Sequence, residues 1–135
     1  MILDTVYLGD LVEQDPGALT KSDEIDENVS PQRIPSAVMW ELFYGLGMLV
    51  DDESKRRRLR GAYESLVQSR VVADLDQSTA RRAGTLKGNH EFSDELRNLD
   101  GADSIVAAHG LALDEPVVTN DRDFLDVDGL DVVTY

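Results

Sequence analysis

The chain has 135 residues, 41% of them hydrophobic, with 27 Asp plus Glu against 13 Lys plus Arg, a formal net charge of -14 at pH 7, and no cysteine. That length predicts one domain over residues 1–135, large enough to bury roughly two thirds of the surface its unfolded chain exposes. The absence of cysteine excludes disulfides, thiol nucleophiles and iron–sulfur sites, and the absence of a leader or an apolar run near 18 residues predicts a cytoplasmic protein with no membrane partner.

The first strand is expected over residues 1–4 and a short helix over 5–13. From 14 to 33 the chain is polar and punctuated by Pro16, Gly17 and Pro31, which predicts a surface helix or mobile loop contributing little core. Arg33, Ile34 and Pro35 read as a short strand, followed by Ser36 as the N-cap of a helix over 37–50. Met39, Leu42, Phe43 and Leu46 give that helix an apolar stripe. A further helix is expected over 52–68, a strand at Val71 and Val72, and a helix over 78–87 closed by Gly88. After a polar turn through Asn89, Asp100 is placed to cap a helix to about His109, with Gly110 as its terminator. Glu115 and Pro116 lead into a strand over 117–119, and the last strand lies near 131–134. Strands alternating with helices predict a three-layer α/β/α sandwich around a mostly parallel sheet.

In such sheets, sites form outside the carboxyl ends of the strands. Asp4 ends the first predicted strand and Asp121 follows the strand at 117–119. Asp103 lies in the first turn of its helix, and Glu41 sits between Trp40 and Leu42 on an apolar helix. A carboxylate in that company avoids a large desolvation cost by reaching solvent, pairing, or facing a polar cavity or cation. Each acid also has a plainer role: Asp4 as a helix cap, Asp100 with Asp103 as an acidic capping box, Asp121 with Asp123 as turn residues, and Glu41 as a solvent-facing side chain. If the four converge, an all-carboxylate set suits Mg²⁺ or Mn²⁺ and not zinc. His90 and His109 read as incidental. Neither GxxxxGK[ST] nor GxGxxG occurs, which argues against nucleotide hydrolysis and dinucleotide binding. Metal-assisted phosphodiester hydrolysis fits what is present.

Four segments taken in order, Ile2-Leu3-Asp4-Thr5, Ser36 to Gly45 around Glu41, Asp103 to Ala108, and Val117 to Phe124 around Asp121, resemble PIN-domain ribonucleases, specifically the VapC-type toxins of type II toxin–antitoxin pairs. The resemblance spans essentially the whole chain. It implies an α/β/α fold, and a quartet of Asp4, Glu41, Asp103 and Asp121 holding one or two Mg²⁺ or Mn²⁺ ions. It further implies auxiliary acids at Asp100 and Asp123, and hydrogen-bonding positions at Thr5, Ser36, Thr119 and Asn120 that orient the carboxylates. The implied activity is endonucleolytic RNA cleavage by a chain restrained by a cognate antitoxin and acting as a homodimer. One position departs from the pattern: Val6 stands where the family commonly has Asn or Ser, and its side chain cannot hydrogen-bond a carboxylate.

The acid excess, with only Lys21, Lys55 and Lys87 as lysines, suggests a halophilic source, where salt screens the repulsion. At about 1 M salt the Debye length is about 3 Å, so acidity does not exclude an RNA partner. The run Lys55-Arg56-Arg57-Arg58-Leu59-Arg60 reads as a solvated helix face or as a contact for RNA or an antitoxin. Arg122, Arg81 and Arg82 are candidate phosphate contacts. Trp40, Phe43 and Tyr44 read as core or dimer-interface residues in preference to base-stacking ones. Two other functional classes stand beside the ribonuclease. One is a catalytically weak PIN-like binding module, kept open by Val6. The other is an acidic phosphotransfer domain: a haloacid-dehalogenase-like phosphatase lacks its second Asp where Val6 stands, and a receiver lacks its acidic pair and late Lys-Pro.

Overall fold

The structure, a computed structural model, describes residues 1–27 and 30–135. Five short strands, β1 (Ile2–Leu3), β2 (Arg33–Pro35), β3 (Val71–Ala73), β4 (Val117–Val118) and β5 (Val132–Val133), form one sheet in the order β3-β2-β1-β4-β5. Every pairing is parallel. The connections carry six helices: α1 (Thr5–Val12), α2 (Pro16–Asp26), α3 (Ser36–Met48), α4 (Glu53–Gln68), α5 (Gln77–Phe92) and α6 (Gly101–Leu113). A 3₁₀ turn at Arg122–Asp126 follows β4. This is the expected three-layer α/β/α sandwich, with both faces of the central strands covered and Val71 and Val72 of the edge strand β3 exposed.

The strands are apolar because a parallel sheet is covered on both faces. Ile2, Leu3, Ile34, Val117 and Val118 are fully buried, and Leu8, Val38, Val106, Leu99 and Phe124 close over them from the connections. Helix α6 packs across β1, β2 and β4 and against α3 and α5, while α1 meets α2, α3 and α4. The register pairs Ile2 with Val117 and Leu3 with Val118, so the next residues along the two strands, Asp4 and Thr119, fall side by side at the carboxyl edge.

Several elements differ from expectation. Of the stretch 14–33, residues 28 and 29 lie outside the described residues, but 16–26 form a helix that does enter the core through Ala18 and Ile25. Asp15 starts it by accepting from Gly17 N and Ala18 N, with Pro16 in the first turn, where its missing N–H costs nothing. Ser36 does not cap α3: it is the first helical residue, and its Oγ accepts from Leu75 N at 3.2 Å. The buried stripe of α3 is Val38, Leu42 and Leu46, whereas Phe43 is exposed.

Gly88 does not end α5, which starts at the Asp76 cap and continues four residues beyond that glycine to Phe92. Interior glycines cost a helix about 1 kcal/mol each, and the long contact of α5 with α6 offsets that cost. Gly110 likewise lies inside its helix, which stops at Asp114 in the left-handed region at φ 53°. The glycine is required for packing. A Cβ there would meet Leu130 Cδ1 at 2.6 Å, and Glu115 O and Val117 Cγ2 at 3.1 Å.

Candidate metal and phosphodiester site

The four expected acids reach one edge of the sheet from four different elements. Asp4 leaves β1 and becomes the N-cap of α1, with Oδ2 accepting from Val6 N at 3.4 Å. The same Oδ2 accepts from the Thr119 hydroxyl at 2.7 Å. Asp4 is 1% exposed, and its other oxygen, Oδ1, is buried without a hydrogen-bond partner. Glu41, one turn into α3 from its start, accepts a hydrogen bond from the Thr5 hydroxyl of α1. Asp121 follows β4, its backbone N–H donating to Thr119 Oγ1 at 3.0 Å and its carboxylate accepting from Asp123 N at 2.9 Å. Asp103 occupies the first turn of α6, where its N–H donates to the Asp100 cap at 2.9 Å.

The capping roles and the clustering hold together. Asp4, Asp100 and Asp121 do cap, because the carboxyl edge of a parallel sheet is where the following helices start, and a short acid is the residue that satisfies a free N–H there. Thr119 serves two acids at once, donating to Asp4 and accepting from Asp121 N.

The electrostatics follow from this crowding. Burial pushes Asp103 from 3.8 up to about 8, with Asp100, Asp4, Glu41 and Asp121 adding repulsion. An N-terminal helix position favours negative charge by at most about 1–2 kcal/mol, and here burial and four neighbouring acids overcome it. Glu41 is raised, first by burial and then by Asp100 and Asp4, against the Thr5 hydroxyl. Asp4 is raised by burial and by Asp121, against the Thr119 hydroxyl and the N–H groups of Thr5 and Val6. Asp4, Glu41 and Asp121 thus all act on Asp103.

Such a set fits a hard divalent cation. All its donors are carboxylate oxygens, one of them buried and unpaired, and a cation would offset both the burial and the repulsion that raise Asp103. Among the described residues, no three acidic or histidine side chains are already closed into a coordination cage. The quartet is a cluster within electrostatic reach, with Glu41 bonded by Thr5 and Asp4 by Thr119.

The remaining expected positions are placed as follows. Asp123 stands at the start of the 3₁₀ turn beside Asp121. Ser36 bonds Leu75 and no carboxylate, and Asn120 pairs with the backbone of Tyr135 through two 3.0 Å bonds, so neither touches the quartet. Arg122 is exposed next to Asp121, and Arg81 and Arg82 are exposed on the first half of α5. Neither histidine figures among the groups perturbing the four acids. His90 Nδ1 lies 2.9 Å from Arg97 O, and burial lowers His109. The sequence reading did not find the exposure of Trp40, adjacent to Glu41 in the chain and 64% exposed. Its spacing from Tyr44, one helical turn, was the available signal.

A parallel α/β protein with acids gathered at the carboxyl edge of its sheet defines a class in which such edges carry the chemistry. The PIN domain model matches residues 1–130, and the chain belongs to the PIN domain family. No curated protein matches it in sequence. Among solved structures it is similar in fold to VapBC2 from Rickettsia felis bound to a DNA fragment from its promoter, at a TM-score of 0.81 and 18% identity, covering 99% of this chain and 97% of that one. DNA-bound VapBC from Salmonella typhimurium gives a TM-score of 0.81 at 22% identity, over 98% and 96%. FitAcB from Neisseria gonorrhoeae gives 0.74 at 18% identity, over 97% and 94%.

Proposed function

We propose that this chain is a metal-dependent endoribonuclease, the toxin of a type II toxin–antitoxin pair, acting as one domain over residues 1–135. The observation that carries the reading is Asp4 at the carboxyl edge of the sheet, linked through Thr119 to Asp121, with its Oδ1 buried and without a hydrogen-bond partner. Membership of the PIN domain family and the fold likeness to VapBC and FitAcB structures support it.

In this reading Asp4, Glu41, Asp103 and Asp121 hold Mg²⁺ or Mn²⁺. When bound, the cation supplies charge neutralisation at a phosphodiester oxygen and lowers the pKa of the attacking water. The chain's own residues fix the acids in place. Thr119 holds Asp4, Thr5 holds Glu41, and the N–H of Asp123 holds Asp121. Asp100 and Asp123 add negative charge at the rim, and Arg122, Arg81 and Arg82 contact phosphates. The partners are an RNA substrate and a cognate antitoxin, with the active species a homodimer in the cytoplasm. No helix of the described residues is long and apolar enough to cross a membrane. The charge of -14 suits a salt-rich cell.

A second reading, a PIN-like binding module of weak activity, is favoured by Val6. Only its backbone N–H reaches Asp4, and its side chain offers the site no hydrogen bond. One assay separates the two: cleavage of a mixed pool of structured RNAs in molar potassium chloride with Mg²⁺ or Mn²⁺, by the parent and by Asp103→Asn. Metal-dependent cutting by the parent alone supports the ribonuclease, and equal activity or none in both favours the binding module.

A further inference from the structure

Beside the carboxylates, an apolar cavity of about 360 Å³ is lined by Ser36, Ala37, Trp40, Leu75, Ala102 and Ile105. That volume lies within the range of about 300–1,000 Å³ usual for small-molecule sites. Two of its walls come from the residues directly preceding site acids: Trp40 before Glu41, and Ala102 before Asp103. Consecutive Cα atoms are about 3.8 Å apart, so the cavity lining is continuous in the chain with two of the acids on two different helices. Trp40 is 64% exposed and Tyr44 57% exposed, with ring centroids 5.2 Å apart and planes inclined by only 13°. A solvent-facing parallel pair of large rings has no packing role inside the chain, and exposed apolar clusters of this kind mark binding surfaces.

We infer that this cavity receives an unpaired nucleobase adjacent to the phosphodiester at the acid cluster, with Trp40 as the stacking wall. The inference rests on the ribonuclease reading and deepens it: Trp40 is a substrate-positioning residue that holds the base next to the cut. A flat aromatic braced parallel by Tyr44 is the surface on which a base adds to a stack. Ala37 and Ala102 add only small side chains to the lining, and the Ser36 hydroxyl is the polar group in an otherwise apolar set. Its oxygen is engaged by Leu75 N, which leaves its hydrogen to donate to a base edge. A face suited only to burial against protein would need no slot of this kind next to the acids.

Trp40 is the sole tryptophan in the chain, so its emission reports directly on the cavity. The experiment titrates the full chain with a short single-stranded RNA and with the matched duplex in EDTA, where no cleavage occurs. Trp40 fluorescence and the anisotropy of end-labelled RNA are followed together, at low and molar salt. Expected are quenching by the single strand and little by the duplex. Trp40→Leu should bind the single strand about 10-fold more weakly, Trp40→Phe should stay within about 3-fold of the parent, and the ratios should hold across salt because stacking is not screened. Trp40 is exposed on a helix surface, and circular dichroism confirms that both variants fold. RNA that binds, and is cut once metal is added, without changing Trp40 emission overturns the stacking wall and leaves the ribonuclease reading intact. Emission that changes with protein concentration alone, in step with sedimentation, also overturns it and assigns the face to a second copy of the chain. No binding of any RNA overturns both.

Discussion

The Thr119 hydroxyl donates to Asp4 Oδ2 across 2.7 Å and accepts from Asp121 N at 3.0 Å, so one fully buried threonine at the end of β4 links two acids from different strands. Asp4 Oδ1 remains buried and unpartnered. Thr119→Val keeps the shape but removes both bonds, leaving a buried carboxylate short of its strongest donor. The expected cost is about 1–3 kcal/mol in urea unfolding, with RNA cleavage reduced more than RNA binding. Thr119→Ser, which keeps the hydroxyl, should recover most of both.

Asp103 makes the metal-free protein sensitive to pH. Its folded pKa of about 8 lies above the ordinary 3.8, so between these values the folded state holds a proton that the unfolded chain releases. Stability therefore falls as pH rises through about 4 to 8. Asp103→Asn removes this loss. In EDTA at pH 8.5 its melting temperature should exceed the parent's by on the order of 5 °C, and the gap should narrow steadily as pH falls toward 4. A gap independent of pH would contradict this assignment.

Cation binding should reverse that order. Mg²⁺ or Mn²⁺ at millimolar concentration relieves repulsion among Asp4, Glu41, Asp103 and Asp121 and binds the folded state selectively, so it raises the parent's melting temperature. Calorimetry should show most of that rise missing in Asp103→Asn. Equal shifts in the two proteins would place the cation elsewhere.

Gly110 predicts a packing defect away from the site. Gly110→Ala puts a methyl 2.6 Å from Leu130 Cδ1 and 3.1 Å from the Glu115 carbonyl. Leu130 can rotate, but the carbonyl belongs to the backbone leading into β4. The expected loss is about 1–3 kcal/mol by urea unfolding, with Mn²⁺ affinity nearly unchanged. A neutral substitution would mean that α6 shifts freely against β4.

These residues also mark what a sequence can reveal. The strand Arg33–Pro35, the Asp100 cap, and the acids at strand ends were legible, because apolar runs, cap chemistry and strand ends are local signals. Gly88 and Gly110 misled because a glycine that ends a helix and one that lets a neighbour approach look alike until the neighbour is known. Ser36 misled for a similar reason: its hydroxyl is taken by Leu75, 39 residues away. Strand positions left the convergence of the four acids open and only the family resemblance implied it, while the bonds from Thr5 to Glu41 and from Thr119 to Asp4 span 36 and 115 residues. Trp40 gave the weakest signal, since an aromatic on an apolar helix reads equally as core or as interface, and its exposure removes only the core reading.

The central claim is that the four carboxylates hold the cation that makes this chain a ribonuclease. Its most direct test measures Mn²⁺ occupancy by electron paramagnetic resonance and RNA cleavage in the same samples, in molar potassium chloride, for the parent, Asp4→Asn and Asp103→Asn. The account predicts that bound Mn²⁺ and cleavage rise together in the parent and fall together in both variants. Cleavage that persists in Asp103→Asn after its Mn²⁺ occupancy is lost, or full occupancy in the parent with no cleavage of any RNA, would contradict it.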